Sequence, residues 1–198
     1  MKSIKILRLV ILFALSLLPS VSYPQTNSST FTDPRDGKVY KTITIGTQTW
    51  TAENLNYATE DSWCNQCETY GRLYTLDAAV HACPKGWHLP SDSEWQTLIN
   101  FLGGDSIAGG KMKETDTTHW KNPNTGATNS SGFSALPCGS RSLDGIFLKI
   151  GYIGYFWTTT QTNSGDIWAF FLDYRSKYIV HSYVDKKVGL SVRCIRDK

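Results

Sequence analysis

Residues 83–95 decide the fold, and they read Cys83-Pro84-Lys85-Gly86-Trp87-His88-Leu89-Pro90-Ser91-Asp92-Ser93-Glu94-Trp95. Pro84 and Gly86 are residues that end a helix and turn the chain. Ser91 and Glu94 have the spacing of a capping box, in which each side chain binds the backbone N–H of the other residue. The stretch therefore predicts a rigid joint between one helix that ends at Cys83 and a second helix that begins after Ser91.

Apolar periodicity on both sides of the joint supports the two helices. Over residues 75–83, one helix face would carry Leu76, Ala79, Val80 and Cys83. The second helix, which Gly103 ends, has the apolar face Trp95, Leu98, Ile99 and Leu102. Asp92 and Glu94 lie in its first turn, where the helix dipole favours carboxylates, and this explains the pair without a catalytic role.

Alternating apolar residues predict strands near both ends of the chain. Residues 39–45 and 48–51 have the pattern of a β-hairpin. Four further strands are predicted over residues 156–160, 167–172, 178–183 and 190–195. The intervening residues 103–155 are rich in Gly, Asn, Ser and Thr and predict loops, with one short helix near residues 108–114. This order predicts an α+β fold with an antiparallel sheet, two helices and long irregular loops.

The first 22 residues have the pattern of a signal peptide. They begin with three basic residues, Lys2, Lys5 and Arg8. An apolar run over residues 9–18 follows, too short to span a bilayer, and small residues precede the expected cleavage site after Ser22. A membrane anchor is the alternative. We expect the chain to be secreted, periplasmic or displayed on the outer cell surface, with no membrane span after cleavage.

The rest of the chain predicts a linker and one domain. Residues 23–32 are polar and lack periodicity, which indicates a flexible linker, and residues 33–198 are long enough for one domain with a core. Cleavage would remove three positive charges and no negative ones, so the formal charge would fall from +3 to 0. A neutral domain has no electrostatic support for binding nucleic acid.

All five cysteines lie outside the leader, at Cys64, Cys67, Cys83, Cys138 and Cys194. An oxidising compartment favours disulfides over free thiols. Because five is an odd number, one cysteine stays unpaired or pairs with another chain.

A series of segments in order along the chain resembles the Fibrobacter succinogenes major paralogous domain family. The segments are residues 36–40, 45–50, 52–55, 70–74, 86–91, 94–95, 132–137, 156–157 and 192–194. They cover nearly all of residues 33–198, which makes the series more specific than any single motif. The resemblance implies a C-type-lectin-like fold, shared with the formylglycine-generating sulfatase-modifying group, in which the first and last strands pair and long loops carry function.

The resemblance also implies a disulfide pattern. In C-type-lectin-like domains the end of the first helix is bridged to the last strand, and the corresponding residues here are Cys83 and Cys194. Cys64 and Cys67 are then the local pair, and Cys138 is expected to be a buried thiol that acts as a small hydrophobe.

Motifs that could carry chemistry have simpler structural explanations. Cys64 and Cys67 have redox C-x-x-C spacing, but the segment has the pattern of a loop and favours a loop-closing disulfide over a redox or zinc site. The four histidines are scattered and form no metal-binding motif. Asp105, Asp116 and Asp144 are isolated, so no cofactor is predicted, although the sequence leaves room for a structural calcium ion.

Aromatic residues in turns and Gly-rich loops are the remaining candidates for binding. They are Trp63, Trp120, Tyr152, Tyr155 and Tyr174. Rings with a polar group suit contacts with sugars or proteins, and the alternative is that these rings only anchor long loops. We therefore predict a non-enzymatic binding or adhesion module whose loop region, residues 103–176, meets a glycan or protein. The rival hypotheses are an enzyme related to the sulfatase-modifying group and a structural module of a larger surface assembly.

Overall fold

The computed structural model describes residues 28–198, so the predicted signal peptide and residues 23–27 lie outside the described residues. The helices are α1 Cys67–Tyr70, α2 Leu76–Ala82, α3 Asp92–Phe101 and α4 Asp105–Met112. The strands are β1 Ser28–Thr32, β2 Val39–Ile45, β3 Gln48–Thr51, β4 Ser62–Cys64, β5 Arg72–Tyr74, β6 Trp87–His88, β7 Ser140–Arg141, β8 Phe147–Leu148, β9 Ile153–Gln161, β10 Ile167–Asp173, β11 Ile179–Val184, β12 Leu190–Ser191 and β13 Ile195–Arg196. The chain is therefore an α+β protein, as predicted.

Five strands form the first sheet, in the order β1-β2-β3-β13-β6. The predicted hairpin is confirmed as β2 and β3, and β3 pairs with β13 through Trp50 and Ile195. The flexible linker is wrong for residues 28–32, because these form β1 and pair with β2 along its length. The Phe31 ring packs 5.3 Å from the Trp87 ring, a long-range contact that a polar composition did not indicate.

The second sheet has six strands in the order β11-β10-β9-β12-β5-β4, and a separate pair, β7 and β8, forms a small hairpin. The predicted run of hairpins is confirmed for β9, β10 and β11. The predicted last strand, residues 190–195, is wrong as one element, because it divides into β12 in the second sheet and β13 in the first. β12 also runs parallel to β9, so the sheet is not purely antiparallel.

The division of the last strand follows from where its middle residues bind. The carbonyl of Val192 accepts a hydrogen bond from Leu55 N–H at 2.9 Å, and the carbonyl of Cys194 accepts one from Thr51 N–H at 2.9 Å. The side chain of Arg193 is buried and donates to Asn54 Oδ1 at 2.6 Å. Residues 192–194 thus bind the end of β3 and the segment after it, residues 51–55, and carry the chain from one sheet to the other.

The predicted joint between two helices is confirmed. Thr75 caps α2 by accepting a hydrogen bond from Ala78 N–H at 3.2 Å. Ser91 N–H donates to Glu94 Oε2 at 2.8 Å, and Glu94 N–H donates to Ser91 Oγ at 3.3 Å, which completes the capping box of α3. The predicted short helix near residues 108–114 begins earlier, as α4, and α1 was not predicted.

Two disulfides are present, and they are the expected ones. Cys83 and Cys194 are joined across 111 residues of sequence, with Cα atoms 5.9 Å apart, and Cys64 is joined to Cys67. Cys138 is free and buried. In the chain-entropy treatment a bridge that closes so long a loop stabilises the fold by about 4–5 kcal/mol.

The main core lies between α3 and the two sheets. Trp50 of the first sheet, Trp95 of α3 and Phe156 of the second sheet are each fully buried. The Trp95 ring lies 4.9 Å from Trp50 and 5.6 Å from Phe156, so α3 joins the sheets through one aromatic side chain. None of the helices in the described part of the chain has the length and apolarity needed to cross a membrane.

Candidate functional site

The five aromatic residues predicted to bind ligand do not form one surface. Trp120 is fully buried, and its indole N–H donates to the carbonyl of Ala135 at 2.9 Å. Its prediction as a contact residue is therefore wrong. The Gly- and Asn-rich loop around Trp120 suggested that the ring is exposed, but this loop folds back over the core and buries the ring.

Trp63 and Tyr155 are half-buried and hold neighbouring elements in place. The Arg141 guanidinium of β7 lies 3.9 Å from the centroid of the Trp63 ring in β4. The Tyr155 ring packs 5.5 Å from Phe171 on the adjacent strand, and burial raises the pKa of Tyr155. For these two rings the alternative given by the sequence, an anchoring role, describes their contacts better than ligand binding, although they anchor strands and not only long loops.

Tyr152 and Tyr174 come together at the surface. Their ring centroids are 5.3 Å apart in an edge-to-face arrangement, and Tyr174 N–H donates to the carbonyl of Tyr152 at 3.0 Å. The Tyr152 side chain is 41 % exposed, whereas Tyr174 is half-buried against the main core. The pair therefore presents one accessible ring braced by a second.

Both tyrosines are positioned by tight turns. Tyr152 N–H donates to the carbonyl of Lys149 at 3.0 Å, and the positive φ of 61° at Lys149 lets the chain turn there. Tyr174 lies in the turn after β10, where Asp173 Oδ1 accepts a hydrogen bond from Arg175 N–H at 2.7 Å. Each ring thus extends from a short, hydrogen-bonded backbone segment.

A buried lysine holds the second turn against its neighbours. Lys113 is fully buried, and its ammonium donates to the carbonyls of Thr125 at 3.1 Å, Asp173 at 3.0 Å and Ser176 at 2.7 Å. Burial lowers the pKa of Lys113 to about 8, although the Asp173 carboxylate opposes this shift. One ammonium thus binds three carbonyls, and the two that belong to the Tyr174 turn hold that turn in place.

Three exposed cations belong to the segments that carry or contact the tyrosine pair. Lys121 N–H donates to the carbonyl of Gly151 at 2.8 Å, which places Lys121 next to the Tyr152 turn, and Lys149 lies in that turn. The Arg175 guanidinium lies 5.2 Å from the Tyr174 centroid. We call this set the tyrosine surface, and its members are Tyr152, Tyr174, Lys121, Lys149 and Arg175.

Sequence analysis found the two tyrosines of this surface and missed its three cations. Lys121, Lys149 and Arg175 are far apart along the chain and belong to no motif. Only the backbone hydrogen bonds between their segments place them together, so no local pattern could have indicated the cluster.

A polar cavity of about 260 Å³ is a second feature that sequence analysis missed. Residues from four segments that carry the family resemblance line its wall, within 36–40, 52–55, 70–74 and 132–137. The family resemblance marked these four segments one by one. The spacing of these segments along the chain gave no indication that they meet.

Several polar groups of the cavity already have partners within the protein. Glu53 Oε2 accepts a hydrogen bond from Lys41 N–H at 2.8 Å, and Glu114 Oε2 lies 2.7 Å from His119 Nδ1. The Asn54 amide is occupied by Arg193, at 2.6 Å from its oxygen. These three groups are therefore committed to contacts within the protein. Within residues 28–198, no group of three or more His, Cys, Asp or Glu residues could hold a metal ion.

These features define an α+β domain with two sheets, a long-range disulfide and an aromatic surface on its loops. The chain belongs to the Fibrobacter succinogenes major domain family, whose model matches residues 43–196. Comparison with curated proteins and comparison with solved structures each gave no significant match.

Proposed function

We propose that this chain is a non-enzymatic binding or adhesion module that meets a glycan or protein ligand at the tyrosine surface. The observation that carries the proposal is the edge-to-face pair of Tyr152 and Tyr174, with Tyr152 41 % exposed. A tyrosine ring combines an apolar face with a hydroxyl, which suits contacts with sugars and with protein surfaces.

Rigidity supports this role. Lys113 binds two carbonyls of the Tyr174 turn, those of Asp173 and Ser176, and ties them to the Thr125 carbonyl. The Tyr152 turn is joined to this turn by the hydrogen bond from Tyr174 N–H to the Tyr152 carbonyl. A ligand that binds preorganised rings loses less conformational entropy than one that must order them. Loops on a rigid frame are also where binding residues are commonly located.

We also propose the C-type-lectin-like fold and an exported location. Three features support the fold: β13 pairs with β3, Cys83 at the end of α2 is bridged to Cys194, and long loops lie outside the sheets. Two disulfides accord with an oxidising compartment and with cleavage of a signal peptide over residues 1–22.

The rival enzyme hypothesis has less support. The sulfatase-modifying group uses cysteines in the late part of the domain to hold copper. The only cysteine in that part of this chain, Cys194, is fully buried and bonded to Cys83. Its sulfur is therefore committed to a structural bond.

The test is a binding screen with the full chain, exported and purified from a bacterial host. Glycan and protein arrays would be probed with the wild-type protein and with Tyr152→Ala, with and without a chelator. Tyr183→Ala is the matched control, because Tyr183 is 58 % exposed. Tyr183 pairs with Trp168 at the start of β10, whereas Asp173 and the tyrosine surface lie at the other end of that strand. We expect wild-type binding that Tyr152→Ala removes and Tyr183→Ala retains. Absence of any wild-type binding, or equal loss in both variants, would contradict the proposal.

A further inference from the structure

We infer that the ligand of the tyrosine surface is an acidic glycan, a polysaccharide whose sugar rings carry carboxylate or sulfate groups. This inference rests on the proposed function and narrows its ligand to one chemical class. It is carried by the charges that flank the two rings, which the aromatic pair alone does not explain.

Backbone hydrogen bonds place three chain segments side by side. Lys121 N–H binds the Gly151 carbonyl at 2.8 Å, and Tyr174 N–H binds the Tyr152 carbonyl at 3.0 Å. Residues 149–152 therefore contact both of the other segments. Each segment contributes one exposed cation, and two of them contribute a tyrosine.

The positive charges outnumber the negative charge at this surface. Over residues 121, 149–152 and 173–175 the cations are Lys121, Lys149 and Arg175, and the one carboxylate is Asp173, whose side chain is only 19 % exposed. Asp173 Oδ1 binds both the backbone N–H of Arg175 and its Nε, at 2.7 and 3.4 Å, so it orients the guanidinium. Among the described residues, neither Lys121 nor Lys149 forms an ion pair.

The buried ammonium behind the turn adds to this potential. Lys113 lies behind Asp173 and Ser176, and its hydrogen-bond partners are neutral carbonyls. A charge in a low-dielectric interior is screened less than an exposed one. An approaching anion therefore meets three exposed cations and one buried cation around the tyrosines.

The combination of rings and cations favours an acidic sugar over other anions. The apolar face of a pyranose can pack on the exposed Tyr152 ring, while a carboxylate or sulfate on the same sugar reaches the donor fork of Arg175 or a lysine. A nucleic acid would need a wider basic surface, and the chain without its leader has no basic excess. An acidic peptide matches the cations but offers no flat sugar face for the ring.

The test compares four soluble probes of matched length: oligogalacturonate, a sulfated galactan, neutral galactan and polyglutamate. Binding would be measured by calorimetry on the full exported chain at low and high salt. The variant is Lys121→Gln/Lys149→Gln, and the control is Lys186→Gln/Lys187→Gln, two exposed lysines in the turn before β12. Thermal unfolding of each variant would confirm that it is folded.

We expect one or both acidic glycans to bind, with the dissociation constant raised about tenfold by the first double variant and unchanged by the control. Binding should also weaken as salt rises. Binding of the carboxylated probe alone, or of the sulfated probe alone, would support the inference and identify the anion.

Three results would overturn it. Equal binding of neutral and acidic galactans, still removed by Tyr152→Ala, would reject the acidic class and leave the proposed function intact. Polyglutamate binding as tight as the acidic glycans, with the same sensitivity to the lysine variant, would identify an acidic peptide ligand instead. Absence of binding to all four probes would reject the inference, and the array screen would then decide the proposed function separately.

Discussion

His88 Nδ1 lies 2.6 Å from Asp197 Oδ1, although 109 positions separate the two residues in sequence. The second ring nitrogen, Nε2, lies 2.9 Å from Glu94 Oε1 in the capping box of α3. The imidazole thus joins the start of a helix to the carboxyl end of the chain. Partial burial lowers the pKa of His88, but the hydrogen bonds that the charged ring donates to the Asp197 and Glu94 carboxylates outweigh this, so the pKa is raised.

A raised pKa in the folded state makes stability depend on pH. The charged His88 stabilises the fold fully below the unfolded-state pKa of about 6.5, and this contribution is lost as pH rises through the higher folded-state pKa. We expect the His88→Gln variant to lose less stability than the wild type between about pH 6 and pH 8. The difference should be under about 1 kcal/mol, because the partly exposed groups are screened by solvent.

Urea unfolding at both pH values measures this difference. His119 and His181 also pair with carboxylates, so the comparison of variant with wild type, and not the wild-type curve alone, isolates His88. The exposed His81, replaced by Gln, is the control. An identical pH dependence in wild type and His88→Gln would show that the contact does not couple to folding.

The two disulfides should differ in their effect on stability because they close loops of very different length. Replacing Cys83 and Cys194 together by Ala should lower the free energy of unfolding by about 4 kcal/mol. The same change at Cys64 and Cys67 should lower it by about 2 kcal/mol. Urea unfolding of both double variants, with non-reducing peptide mapping of the wild type, tests the order. A larger loss from the short bridge would reverse the prediction.

Loss of the buried ammonium should loosen the tyrosine surface. Lys113→Met keeps the length of the side chain but leaves three buried carbonyls without a donor, so we expect a loss of about 3 kcal/mol. Hydrogen exchange should quicken at the amides of residues 125 and 174–176. The exposed Lys187, replaced by Met, should change neither quantity. Unchanged exchange in Lys113→Met would mean that the turn does not depend on the ammonium.

Arg193 joins three parts of the fold and should not tolerate lysine. Its buried guanidinium donates to the carbonyls of Thr51 at 3.0 Å, Phe133 at 2.7 Å and Ser134 at 3.0 Å, in addition to Asn54. A compact ammonium cannot reach acceptors spread around a planar fork. Arg193→Lys should therefore destabilise the fold by about 3 kcal/mol in urea unfolding. A loss below about 0.5 kcal/mol, typical of surface sites, would refute this role.

Trp120 and Tyr152 should separate stability from binding. Trp120→Phe removes the indole N–H that binds the Ala135 carbonyl, and we expect a stability loss of about 1–2 kcal/mol with unchanged ligand affinity. Tyr152→Ala should do the opposite, because its ring is exposed. Urea unfolding of each variant measures the loss of stability, and binding to the ligand identified in the array screen measures the loss of affinity. If Trp120→Phe is fully folded and still binds the ligand more weakly, Trp120 would have to be part of the binding site.

Much of the fold could be predicted because its signals are local. The capping box of Ser91 and Glu94 and the apolar stripe that contains Trp95 lie within a few residues, and a helix forms wherever such a pattern occurs. The hairpin of β2 and β3 is equally local. The family resemblance supplied the long-range bridge of Cys83 to Cys194, which periodicity alone left open.

The errors share one cause, which is that burial depends on distant partners. β1 formed from a polar segment because β2 offered a free edge and Trp87 offered a contact for Phe31. Trp120 is buried because its loop folds over the core. The last strand divided because the backbone groups of residues 192–194 bind the end of β3 and the segment after it.

The sequence by itself determined the joint between α2 and α3, the hairpins over β2–β3 and β9–β11 and the membership in a family, because each depends on the order of neighbouring residues. Only the tertiary structure decided which aromatic rings reach solvent and which cations lie beside them. Tyr152, Tyr174, Lys121, Lys149 and Arg175 meet through backbone hydrogen bonds between segments that are far apart along the chain. Contacts between distant segments depend on the packing of the whole domain, and a local pattern of side chains does not predict them.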